Sequence, residues 1–113
     1  MTTRLLNSAI MPQPGTYSLS AITSAEMAAL IRMAAHMGEL ASYIGYQQTA
    51  DYLSTLSGAT ILVSREPTAI EDGDILLICR LRYRVGNPAD KRAPIDPADL
   101  EFFLADYRAP EGK

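Results

Sequence analysis

From Ile75 to Val85 the chain interleaves two sets of side chains: Ile75, Leu77, Cys79, Leu81, Tyr83 and Val85 on one parity, Leu76, Ile78, Arg80, Arg82 and Arg84 on the other. Successive side chains of a strand point to opposite faces. A strand here turns one apolar face to a core and sets a row of guanidinium groups on its second face. Arginines at i, i+2 and i+4 stand about 7 Å apart per step and repel one another unless something anionic lies between them. Asp or Glu from a neighbouring strand would make this an ordinary solvated face; an anionic ligand would make it a site. Eight of the ten basic residues are arginine, the side chain whose planar fork suits phosphate oxygens and stacks on bases. A compact phosphorylated ligand fits such a face better than a long duplex.

The rest of the chain supplies a sheet and helices around that strand. Arg4 to Ile10 is a mostly apolar run stopped by Met11-Pro-Gln-Pro-Gly15, and Thr16 to Ile22 alternates as a half-buried strand does. The two are expected to form a hairpin. Thr23-Ser-Ala-Glu26 has the spacing of a capping box, and Met27, Leu30, Ile31, Ala34 and Met37 recur on one helical face before Gly38. His36 and Arg32 fall near the C-terminus of that helix, where positive charge suits the macrodipole. Leu40 to Ile44 reads as a short strand running through Gly45 into a helix from Tyr46 to Ser57, with Gly58 as its stop. A strand-to-helix junction of this kind exposes unpaired N–H groups beside a positive dipole end, a natural seat for a phosphate.

Ala59 to Val63 is β-branched and apolar and reads as a strand, and Glu71-Asp-Gly-Asp74 as a turn. Asp72 and Asp74 have the chemistry to bind a divalent cation, but turn formation is their plainer role. Beyond the polar loop Gly86 to Pro94, Asp96-Pro-Ala-Asp99 places an N-cap before a proline, so a short helix is expected from Pro97. Phe102, Phe103 and Leu104 are consecutive and mask any period; the segment Glu101 to Arg108 is read as a closing strand. Residues 1–108 make one domain, and 109–113 a disordered tail.

Composition narrows the function. With 113 residues the chain has room for one domain, and 48 % hydrophobic with 20 % charged residues is the balance of a folded globule. A net charge of −3 disfavours a general nucleic-acid coat. One cysteine, Cys79, and one histidine are too few for a structural zinc site. No apolar run approaches the ~18–20 residues that span a bilayer, and no signal-peptide core follows Met1, so a cytoplasmic protein is expected, in the host cell if the chain is viral. Ser42, Ser54, Ser57 and Ser64 lack an obvious partner base, and no Walker or Rossmann glycine fingerprint is present.

Four blocks in order, Leu5-Leu-Asn-Ser-Ala9, Ser42 to Leu53 with Gly58, Val63-Ser-Arg65, and Glu71 to Arg84, resemble the viral ring nucleases that act as type III anti-CRISPR proteins. The resemblance implies an α/β (α+β) domain: a mixed sheet of about five strands flanked by two to three helices, paired as a twofold dimer. A cleft in that dimer would hold a cyclic oligoadenylate, above all cyclic tetra-adenylate, the second messenger of type III CRISPR defence. In this family a ribose 2′-hydroxyl attacks its neighbouring phosphate in line and the ring opens to a 2′,3′-cyclic phosphate, without metal or cofactor. A symmetric dimer suits a ring with its own approximate twofold axis.

Carried onto this chain, the resemblance places Asn7 and Ser8 in the cleft, Thr49 at the start of the second helix with Gly45 and Gln48 beside it as ligand-binding candidates, and Arg65 and Arg84 on the phosphates; Arg80, a further ligand-binding candidate, falls where many archaeal-virus relatives have a glutamine and phage-like relatives often have arginine. It also marks a departure. Where active relatives carry a histidine as general acid after Ile-Gly, this chain has Tyr46, and a phenol near pKa ~10 is a far poorer proton donor than an imidazole near ~6.5. Asn87 stands where some active relatives have a helping glutamate. Two outcomes follow: slow ring opening with Tyr46 in the catalytic position, or sequestration of the ring as a sponge. The alternatives are a sponge for another cyclic nucleotide and an accessory protein whose cleft docks nucleic acid or a protein.

Overall fold

A computed structural model describes residues 2–7, 13–64, 69–81 and 100–110. Its elements run β1 (Thr3–Leu6), β2 (Thr16–Ile22), α1 (Ser24–His36), β3 (Leu40–Tyr43), α2 (Gln47–Ser57), β4 (Ile75–Leu81) and β5 (Leu100–Arg108). The strands form one five-stranded sheet in the order β2-β5-β4-β1-β3. β1 lies parallel to both β3 and β4, whereas β5 is antiparallel to β4 and to β2. The sheet is therefore mixed, as expected, and two helices accompany it among the described residues.

The expected hairpin of the first two strands does not exist. β1 sits inside the sheet and β2 at its edge, separated by β4 and β5. The alternation that identified each strand says which face it buries but carries no information about its neighbour, and the parallel partners of β1 come from Leu40 and Ile75 onward. β1 ends at Leu6 and bends at Asn7; the remainder of the expected strand to Ile10 lies partly outside the described residues.

Alternation along β4 holds over its described length. Leu77 and Cys79 join Leu5, Met27, Ile31, Ile44, Ala50, Leu53 and Phe102 in the core beneath the helices, with Ile75 against it. Leu76 and Ile78 point the other way, into a second cluster with Leu6, Ile70, Ala105 and Tyr107. Both faces of the central sheet are thus buried, which explains the consecutive Phe102, Phe103 and Leu104: neighbouring β5 side chains serve opposite cores. The closing strand is confirmed. Its last residue is followed by Ala109, whose N–H donates to Asp72 Oδ1 at 2.9 Å, so the chain is still held there; residues 111–113 lie outside the described set.

Local chemistry places the helices. Thr23 accepts from the Glu26 N–H and the Glu26 carboxylate accepts from the Thr23 N–H, a complete capping box. α2 ends on Gly58 at φ +78°, the left-handed conformation that glycine adopts without a Cβ penalty. Arg32 on α1 donates through Nε to the Ser57 carbonyl at 3.0 Å, so a cation from one helix meets the negative end of the other.

Ala59 to Val63 is not a strand. Serine hydroxyls satisfy its backbone instead: Ser57 accepts from the Ala59 N–H, Ser54 from the Ile61 N–H, and Ser42 donates to the Leu62 carbonyl. With those groups already paired the segment has little need of a ladder. The short helix expected from Pro97 lies outside the described residues.

Candidate functional site

Parallel strands β1 and β3 end at the same level, Leu6 beside Tyr43, and Ile78 of β4 pairs with Leu6 there before β4 runs on to Leu81. Chain segments leaving this edge therefore start side by side: Asn7 after β1, Ile44-Gly45-Tyr46 after β3, and Cys79-Arg80 as β4 runs on. The carboxyl ends of parallel strands are where ligands of open α/β sheets bind, since loops and helix N-termini converge there. Ser64 joins the same edge through its N–H, which donates to the Ile44 carbonyl at 2.9 Å.

Tyr46 is the N-cap of α2, in extended conformation, and its side chain makes no capping hydrogen bond to the helix. No acidic residue occupies the first turn to offset the positive dipole end. Tyr46 is 39 % exposed, Gln48 half-buried and Thr49 buried, so of the helix-start residues expected to meet a ligand, Thr49 is the least accessible.

Arg80 stands on the sheet face away from the helices, at the β4 end that reaches this edge. Its Nε donates to Glu101 Oε1 at 3.1 Å, and its guanidinium lies 4.9 Å from the centre of the Phe103 ring. Glu101 and Phe103 escaped the sequence reading. Both belong to the same parity of β5, and pairing β4 antiparallel to β5 would have put Glu101 opposite Arg80. The Arg80–Glu101 pair is the neighbouring-strand partner expected of an ordinary solvated face.

The structure thus gathers Asn7, Gly45, Tyr46, Gln48 and Thr49 at one edge, with Arg80 beside them on the opposite sheet face. Ser8, Arg65 and Arg84, expected in the same site, and Arg82 and Asn87 lie outside the described residues.

Other polar groups settle into structural roles. Asp74 accepts from Arg4 Nε at 2.6 Å and from the N–H groups of Glu71 and Thr2, while Arg4 Nη1 reaches the Tyr43 hydroxyl. Burial pushes the Asp74 carboxyl up, but the Arg4 hydrogen bond, the Glu71 N–H, the Arg4 charge and the Thr2 N–H together outweigh it and leave the pKa below its ordinary value. Burial likewise lowers the Arg4 pKa on its own, and Asp74 and Tyr43 more than reverse that. Asp74 is committed to the turn and to Arg4, in line with its plainer role. No cluster of His, Cys, Asp and Glu among the described residues has the arrangement to hold a metal ion, and no described helix is long and apolar enough to cross a membrane. Cys79 is packed in the core, where burial pushes its thiol up to about 12.

With the edge and its residues in place, comparison with known proteins decides the family. The STIV B116-like family model matches residues 3–103. This chain belongs to the STIV B116-like family. Among solved structures it is similar to B116 of Sulfolobus turreted icosahedral virus, at 17 % identity and a TM-score of 0.74, over 93 % of this chain and 98 % of that one. At that identity the likeness establishes a shared fold. A search of curated proteins gives no significant match. Membership in the STIV B116-like family places the chain in a group named for a viral protein.

Proposed function

We propose that this STIV B116-like protein binds a cyclic oligoadenylate, foremost cyclic tetra-adenylate, as a twofold dimer, and thereby suppresses type III CRISPR signalling. The observation that carries the reading is the convergence, at one edge of the sheet, of Asn7, the Gly45-Tyr46 start of α2 and the Arg80 end of β4. These belong to three of the four sequence blocks that resemble the viral ring nucleases. A helix N-terminus without a neutralising acid is a donor set that suits a small polyanion, and Arg80, on the opposite sheet face and paired with Glu101, stands at the neighbouring strand end. A net charge of −3 does not oppose this: scarce positive charge concentrated at one place can draw a small anion while the remaining surface repels bulk nucleic acid.

Whether the ring is opened or only held depends on Tyr46. In this reading the ribose 2′-oxygen bonds to the neighbouring phosphorus and gives up its proton to solvent, the bond from that phosphorus to the 5′-oxygen breaks, and the departing 5′-oxygen takes a proton, leaving a 2′,3′-cyclic phosphate and a 5′-hydroxyl. Tyr46, partly exposed at the N-cap, is the group this chain offers there. The protein then acts as a sponge with slow ring opening.

Incubation with cyclic tri-, tetra- and hexa-adenylate, following both the complex and the products, tests the proposal. Tight binding of one ring and at most slow appearance of a 2′,3′-cyclic phosphate product is the expected result. Failure to bind any ring would sink it. Salt-dependent duplex binding in its place would favour the accessory-protein reading.

A further inference from the structure

We infer that Glu101 and Phe103 are positioning residues that hold the Arg80 guanidinium, one on its Nε edge and the other beneath its plane, so that its two terminal amino groups face a phosphate. The inference rests on the nucleotide-binding reading above and assigns to that site two residues of β5.

Arg80 and Glu101 are direct partners across the antiparallel β4–β5 pair, and Phe103 is the next residue along β5 on the same face. Cross-strand partners and their diagonal neighbours are within reach of long side chains. Accordingly Glu101 Oε1 accepts from Nε at 3.1 Å, and the Phe103 ring centre lies 4.9 Å from the guanidinium carbon. Among the described residues neither terminal amino group of Arg80 makes a hydrogen bond. A guanidinium has two forked edges; Glu101 takes part of the Nε edge, and no described residue accepts from the outer one, between the two amino groups.

The arrangement adds little stability. The side chains of Arg80 and Glu101 are 41 % and 31 % exposed, and ion pairs so open to water add little. What the contacts do provide is order, because a free arginine loses rotamer freedom when it binds, whereas one already clamped loses less. The Glu101 charge also works against an approaching phosphate, so its value lies in the acceptor oxygen rather than in the charge.

That distinction gives the test. Glu101→Gln keeps an acceptor for Nε and removes the charge; Glu101→Ala removes both; Phe103→Leu removes the ring and keeps an apolar side chain. Affinity for cyclic tetra-adenylate is measured by calorimetry, and the order of the Arg80 side chain by the ¹⁵N relaxation of its Nε–H group in the free protein. Expected results are binding by Glu101→Gln at least as tight as by the unmodified protein, and binding about 3–10-fold weaker for Glu101→Ala and Phe103→Leu, with a more mobile Nε–H in both. A merely structural role would shift Tm without separating Gln from Ala in affinity. Equal affinity and equal Nε–H order in Glu101→Ala would overturn the inference. If the unmodified protein binds no ring, the nucleotide reading falls by itself. Pyrophosphate titrated against the Arg80 resonance then decides positioning: weaker binding by Glu101→Ala upholds it, and equal binding overturns it.

Discussion

Arg4 and Asp74, seventy positions apart, meet at 2.6 Å with their side chains 11 % and 5 % exposed. The contact ties the first strand to the turn that launches β4, and the Thr2 and Glu71 N–H groups complete the carboxylate. Removing one partner of a part-buried charged pair leaves the other with an incomplete set of hydrogen bonds, which costs about 1–3 kcal/mol.

Asp74→Ala is therefore expected to lose stability of that order at neutral pH in urea unfolding. The Asp74 pKa is lowered from 3.8 in the folded state, so the carboxylate stabilises the fold above that value, and the contribution is lost as pH falls below it. Asp74→Asn should flatten the acid limb of the stability curve; an unchanged limb would show that other carboxylates dominate it.

The capping box makes a smaller prediction. Thr23→Ala removes the acceptor of the Glu26 N–H and should cost about 1 kcal/mol. Thr23→Ser should recover most of it, as read from the urea midpoint at constant m-value.

Gly15 lies at φ +147°, and a Cβ there would collide with the Tyr107 ring and the Arg108 carbonyl oxygen. Gly15→Ala should destabilise by ~2 kcal/mol or more, since backbone strain and steric overlap coincide. At Gly38 the space for a Cβ is open, so alanine there should cost only the ~1–2 kcal/mol of a left-handed backbone. Thermal melts of the two variants would rank them; the reverse order would refute the packing argument.

Cys79 should be inert. With its thiol pushed up to about 12 by burial, it should react with a disulfide reagent only when the chain is unfolded, and labelling should follow the denaturation curve. Rapid labelling of the folded protein would place Cys79 outside the core.

Tyr46 carries the prediction about chemistry. Under the proposed function, Tyr46→His supplies a proton donor matched to neutral pH, and single-turnover ring opening should rise by roughly 10²–10⁴-fold with little change in affinity. No increase would mean that the phosphate chain is not positioned at the α2 N-cap.

Elements whose reasons are local were readable in the sequence. The capping box from Thr23 to Glu26, the stop at Gly58 and the parity of β4 each depend on residues a few positions apart, and all three are present. β5 was readable as a strand only by preference, because Phe102 and Phe103 serve two different cores and cancel the alternation. What depended on distant partners was hidden: that β1 neighbours β3 and β4 rather than β2, that Arg4 finds Asp74, and that Glu101 stands opposite Arg80. Ala59 to Val63 misled for a similar reason, since the hydroxyls of Ser42, Ser54 and Ser57 that satisfy its backbone come from the β3 and α2 regions. At the site, the strand-to-helix junction at Gly45 was visible as composition, whereas the burial of Thr49 and the clamp on Arg80 required register.

The interior place of β1 has a consequence for biosynthesis. Residues 3–6 leave the ribosome before their ladder partners, which begin at Leu40 and Ile75, so the nascent strand must wait unpaired until those segments have emerged. Non-local closure of this kind slows folding and leaves an apolar Leu5-Leu6 pair available to chaperones or to neighbouring nascent chains. Yield during expression should thus respond more to a partner fused ahead of Thr3 than to one fused after Arg108.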